Sequence, residues 1–342
     1  METVNGSINQ EPTFAEAIKV EQQAYQGMGI KILSVASGLL ASGFLSGWVF
    51  LLLGDSAVTM VILGPVVLIL AVFLDNRINN MVLDTACIGA YVAACAMIGF
   101  GIEKLSNSDN FTTLVMLVIA VAVPFFSIGY MFNFLSVIAI NICLFSLINI
   151  NDWFDLIHVL VALVTLVYTL LSLKEPKYLA FARMSKVYNP LRNGLLCSLL
   201  GLLSSLAVNR MVNTWQINHE WISSAAIIGI ILFFLHHIVT DLGIAEKRNR
   251  NLIYLVSGLV LLLAFFVPAV CGALLILMIS FHTGHRLGLI FGLAALFYFT
   301  GQYYYNLEYT LLVKSEIMMA TGALFMLAWV ILKKTLKRYE QD

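Results

Sequence analysis

The chain has 342 residues, of which 61% are hydrophobic and only 11% charged, with a mean hydropathy of +0.92 and a formal net charge of zero. Soluble domains carry about a quarter charged residues, so this composition cannot furnish a water-facing surface. The balanced charge supplies no overall field to gather nucleic acid or an acidic partner. Five cysteines, Cys87, Cys95, Cys143, Cys197 and Cys271, lie in apolar segments without C-x-x-C spacing and read as small buried hydrophobes.

The N-terminal segment, residues 1–29, is acidic before the first long apolar run, with Glu2, Glu11, Glu16 and Glu21, where a secretory leader would be basic, so no cleavage is expected. Thr13 and Glu16 have capping-box spacing, and Phe14, Ala17, Ile18, Gln22 and Tyr25 predict a short amphipathic helix leading into the membrane. Residues 32–53 then hold no ionisable side chain over 22 positions. As a helix this crosses a hydrocarbon core of about 30 Å. Helices are required because backbone groups in lipid must be satisfied within their own segment, and barrel strands would alternate polar with apolar residues.

Apolar runs between charge or turn signals predict spans over 30–53, 56–74, 81–101, 112–128, 130–149 and 153–173. A second set follows over 191–208, 221–240, 252–267, 268–284, 286–305 and 316–332. The uncharged stretch 114–150 is too long for one crossing, so it is divided after Pro124, near Ser127 to Tyr130. The stretch 252–281 is divided at Pro268. With the N-terminus inside, Lys19, Lys31, Arg77, Lys174, Lys177, Arg183, Lys186, Arg192, Lys247, Arg248, Arg250, Arg286, Lys333, Lys334, Lys337 and Arg338 fall on the inner side. Only Lys104, Arg210 and Lys314 fall outside, and sixteen against three is the bias expected of cytoplasmic loops.

The expected fold is therefore an all-α polytopic transmembrane helix bundle of about twelve spans with both termini cytoplasmic. Its parts are a six-span half over 30–173, a basic cytoplasmic connector over 174–192, a second half over 191–332 and a basic tail over 333–342. In the connector Tyr178, Phe181, Met184 and Tyr188 share a helical face opposite Arg183 and Lys186, as in a helix lying among headgroups. Gly64-Pro65, Pro124 and Pro268 interrupt apolar runs, and tight turns between short spans account for them.

Ionisable residues in apolar spans are costly and are functional candidates by default. Asp84 enters the third span, and Asp155 and His158 open the sixth, three apart on one face and able to share a proton. Helix capping by Asp152 or Asp155 explains the carboxylates equally well. In HHIVTD, His237 and Asp241 are four apart and able to touch, whereas His236 points about 100° away. His236, His237, His282 and His285 are weak metal candidates, with interfacial histidines at helix ends as the alternative, and no cofactor motif is present. The turn from Gly301 to Glu316 holds tyrosines that suit an aromatic belt, and Glu308, Lys314 and Glu316 that could mark the lip of a polar pathway.

The segment YYYNLEYTLLVKSEIMMATGALF, the preceding HRLGLIFGLAALF and, more loosely, GIKILSVASGLLASGFLSGW resemble an uncharacterised bacterial integral-membrane family, labelled domain of unknown function 4401. The resemblance implies a many-span bundle in a bacterial inner membrane and carries no catalytic motif with it. A permease-like transporter of a small solute is the leading expectation. A non-transporting scaffold, sensor or partner subunit for another membrane protein is the alternative, with a membrane-embedded metal enzyme third. The partners expected are the lipid bilayer, a small solute and a membrane protein, with no nucleic acid.

Overall fold

The computed structural model describes residues 56–77, 81–127, 129–175, 182–212, 221–241 and 267–306, together with His219 and isolated positions within 40–48, 254–265 and 312–330. Among the described residues every regular element is an α-helix. In chain order they are α1 (Ala57–Arg77), α2 (Met81–Ser106), α3 (Asp109–Phe126), α4 (Tyr130–Ile150), α5 (Leu156–Leu173), α6 (Ala182–Val212), α7 (Trp221–Asp241), α8 (Pro268–His282) and α9 (Arg286–Asn306). Eight of these are long and apolar enough to cross a membrane, and α8, with 15 residues, is shorter. The expected spans 30–53, 252–267 and 316–332 fall only partly within the described residues.

Proline and glycine set several of the boundaries. The corner expected after Pro124 lies between Phe126 and Tyr130, where the Asn133 amide donates to the carbonyls of Ser127 and Gly129 at 3.2 and 2.8 Å. The break expected at Pro268 is also present. Val267 is extended, at φ −131° and ψ 88°, and Pro268 opens α8 where its missing N–H costs nothing. The span expected over 56–74 is present as α1, but Gly64-Pro65 makes no turn in it, because the helix runs unbroken through Pro65. One helix hydrogen bond is lost there, but α2 packs along α1 and lies close against Gly64, with Ile98 and the Ala94 carbonyl beside it, which holds the path. Residues 182–192, expected as the end of a connector lying among headgroups, are the first turns of α6 and continue through Pro190 into the apolar run. Tyr188 is accordingly buried.

The chain forms two compact units, Met1–Thr112 and Thr113–Asp342, divided within α3. In the first, α1 and α2 pack as a pair around Met60, Ala71, Tyr91, Ala94 and Ile98. In the second, α6 packs against α4, α5, α8 and α9, while α7 packs on α5 and α8. Tyr168, Leu199, Leu203, Ile227, Phe234 and Leu275 are fully covered at the centre of this unit.

Polar side chains inside these helices mostly turn back on their own backbone. Thr165 donates to the Val161 carbonyl at 2.6 Å, Thr169 to Thr165 and Ser172 to Tyr168 at 2.8 Å, and Asn141 to Val137 at 2.8 Å. Such bonds to the carbonyl four residues earlier satisfy a hydroxyl or amide without water.

The contact of α6 with α4 is shaped by two glycines two turns apart. A Cβ on Gly194 would lie 2.9 Å from the Val137 Cβ and 3.1 Å from the Phe134 carbonyl, so the helices touch there backbone to side chain. At Gly201 nothing lies within 4 Å of such a Cβ, and the same two helices have opened. Gly194→Ala should therefore cost about 1–3 kcal/mol through overpacking. Gly201→Ala should be neutral or stabilising by up to about 1 kcal/mol from helix propensity. Melting of the two purified variants side by side checks this, and equal behaviour would contradict the close approach.

Candidate functional site

Two polar features of the second unit stand out against its apolar core. The first gathers at one end of α5, α6, α8 and α9. Arg192, on α6, is buried, and its Nη1 donates to the Glu175 carboxylate, just beyond the end of α5, at 3.1 Å. Its Nη2 lies 3.4 Å from the Asn189 amide oxygen, and the guanidinium carbon stands 5.1 Å from the centre of the Tyr188 ring. Tyr188 and Asn189 precede Arg192 by four and three residues, so helical spacing alone brings them to it. Tyr168 on α5 and Ser280 on α8 place buried hydroxyls in the same region.

His285 completes this group from the turn between α8 and α9. Its Nδ1 accepts a hydrogen bond from the Gly288 N–H at 3.1 Å, so in the neutral ring Nε2 carries the proton. Burial, assisted by the positive charge of Arg192, pushes the imidazole down to about 4. A side chain on Gly288 would collide with the Ser280 hydroxyl and the His285 ring, which explains why glycine suits this tight return.

The second feature is a recess of about 240 Å³ between α4 and α6, where the two helices part beyond Gly194. Ile138, Ile142 and Phe145 give it an apolar body, and Asn141, Ser198 and Ser205 give it polar edges. Asn141 and Ser198 lie at the middle of the apolar stretches Tyr130–Ile150 and Val187–Asn209. The Ser198 hydroxyl is buried and has no hydrogen-bond partner.

The residues singled out from the sequence are dispersed over several places. His237 and Asp241 touch as their spacing requires, Nδ1 to Oδ1 3.4 Å. His236 instead meets the Tyr254 hydroxyl at 3.0 Å, and His282 packs edge-on against Phe234. His158 is buried and its Nδ1 lies 2.6 Å from the Ser223 hydroxyl, tying α5 to α7. Asp155 is exposed at the N-cap position of α5, without a side-chain capping bond. Glu316 is exposed, Asp84 lies on α2 with its side chain outside the described set, and Glu308 and Lys314 lie outside the described residues. Among the described residues no three His, Cys, Asp or Glu side chains are grouped closely enough to hold a metal ion.

Sequence reasoning passed over Arg192, counting it only among the inner basic residues, and did not consider Glu175. The available signal was an arginine opening an uncharged run of helix with a tyrosine four residues before it.

Several apolar helices of membrane-crossing length around a sparsely polar interior define the class of protein. The chain belongs to the family described as Domain of unknown function (DUF4401), which matches residues 28–335. No curated protein and no solved structure matches it.

Two outcomes follow from this geometry. Glu175→Ala leaves Arg192 buried without its carboxylate. It should destabilise the protein toward the lower end of the roughly 3–5 kcal/mol typical of a broken buried pair, because the Glu175 side chain retains 24% exposure. Replacing both residues by methionine should recover most of that loss in chemical unfolding. His285 titrates lower folded than unfolded, so between about 4 and its ordinary 6.5 the unfolded chain binds more protons. Stability from this group is complete above 6.5 and falls as the pH drops through that window. His285→Asn should flatten the acid limb of a melting-temperature profile, and an unchanged limb would count against the burial.

Proposed function

We propose that the protein is a permease-like transporter of a small solute, and that the recess between α4 and α6 is where the solute rests. The single observation supporting this is a cavity at the middle of two apolar helices, edged by Asn141, Ser198 and Ser205. Transporters commonly bind their substrates near the bilayer midplane. Among the described residues no charged side chain lines the recess, and its volume of about 240 Å³ is below that of pockets for drug-sized ligands. A small uncharged solute with an apolar body and one or two hydrogen-bonding groups suits it.

In this reading the chain crosses a bacterial inner membrane about twelve times with both termini in the cytoplasm, as the sixteen-to-three division of basic residues supports. The eight long helices, the shorter α8 and the apolar runs 30–53, 252–267 and 316–332 make up that number. A second reading, a partner or scaffold subunit, draws on the same recess, because the small, exposed Gly201 beside it also admits another transmembrane helix.

Uptake of labelled uncharged solutes into vesicles reconstituted with the full chain tests the proposal. Ser198→Leu and Gly201→Phe fill the recess and should lower uptake at least about tenfold while leaving the fold intact. Absence of uptake above protein-free vesicles for the whole solute panel, with loss of a co-purifying membrane protein in the same variants, would favour the partner reading instead.

A further inference from the structure

A guanidinium taken out of water needs all its donors engaged, and an unpaired donor in an apolar surrounding is expensive. Arg192 meets this need on one side only. Glu175 takes Nη1, while Nε is buried with no hydrogen-bond partner and Nη2 has the long contact to Asn189. The phenol hydroxyls of Tyr168 and Tyr188 and the hydroxyl of Ser280 are likewise buried and close no hydrogen bond of full geometry, although Tyr168 and Ser280 lie near enough to interact with each other, as Tyr188 does with Arg192 and Glu175. The four groups come from three helices, and the charge of Arg192 reaches both Tyr168 and Tyr188. This contrasts with Thr165, Thr169 and Ser172 on the neighbouring turns of α5, each of which is satisfied by its own backbone. Ser136, Ser198 and Ser224 also hold buried hydroxyls without a partner, but at the arginine several such groups from three helices come together.

We propose that the Nε edge of Arg192, together with the hydroxyls of Tyr168, Tyr188 and Ser280, is a binding site for an oxyanion of the phosphate or carboxylate class. Nε–H and the adjacent Nη2 form the planar fork that grips two oxygens at once. Hydroxyls can turn their protons toward an anion, and Glu175 remains on Nη1 as the counter-charge. The exposed side of Asn189 and the partial exposure of Glu175 give the site an opening. The same chemistry fits a dissolved anion or the phosphate of a lipid headgroup, since Arg192 lies within two turns of the start of the apolar stretch Val187–Asn209. The site is separate from the recess, and its test reads binding, whatever the outcome for transport.

The test is thermal melting of the full-length protein in neutral detergent, titrated with inorganic phosphate or acetate against chloride, and with phosphatidylglycerol against diacylglycerol, which has the same chains without phosphate. A saturable rise with phosphate or acetate identifies a dissolved oxyanion, and a rise with phosphatidylglycerol alone identifies a headgroup. In either case Arg192→Gln should abolish the rise, and Arg286→Gln, at an exposed arginine, should leave it. Because Arg192→Gln also breaks the pair with Glu175, Tyr168→Phe and Ser280→Ala provide the independent reading. Each removes a hydroxyl that closes no hydrogen bond of full geometry, so the melting temperature without anion should change little while the apparent affinity falls about tenfold. No rise with any oxyanion would overturn the proposal, as would a rise that Tyr168→Phe and Ser280→Ala leave unchanged.

Discussion

In a chain with so few charges, hydrogen bonding has to be completed internally. A peptide group in an apolar medium has no solvent to fall back on, which is why helices account for the regular structure and why their polar side chains bend back to carbonyls four residues earlier. Asn141, Thr165, Thr169 and Ser172 obey this rule, and so does the corner at Ser127 to Asn133. Once the rule is observed so widely, the places that break it acquire meaning. Ser136 and Ser224 break it singly within the second unit, whereas Arg192 Nε with the Tyr168, Tyr188 and Ser280 hydroxyls, and Ser198 beside the recess, break it at the two features to which function is assigned.

Apolar runs and prolines were enough to locate most of the described helices because both act locally. Length and hydropathy decide whether a segment can span, and a proline at a helix start needs no tertiary knowledge to be placed. Pro65 shows the limit of that reasoning. Whether a proline ends a helix or is carried within it depends on what packs beside it, and the approach of α2 to Gly64 is a tertiary fact. The same limit applied to residues 182–192, where basic side chains suggested a surface connector but the helix runs on into the core.

The candidate sites were less legible for a related reason. Periodicity reported pairs on one helix, such as His237 with Asp241, and the structure contains that pair. Convergence among helices has no such signature: Glu175 meets Arg192, and Ser280 and His285 come to the same end of the unit, only because α5, α8 and α9 pack around α6. The recess was equally invisible, since it arises where two helices held together at Gly194 diverge, and nothing in the composition of either helix announces a gap.

The length of α6 ties these observations together mechanically. Its 31 residues, at about 1.5 Å each, make a rod of about 46 Å, well beyond a hydrocarbon layer of about 30 Å. Arg192 and Ser198 are mounted on this one shaft, six residues and thus about 9 Å apart, and about 120° from each other around it. A turn of the shaft that carried Ser198 toward α4 would swing Arg192 through the same angle past Glu175. The distance and direction between the two features are therefore fixed by the geometry of a single helix and not by the packing of several.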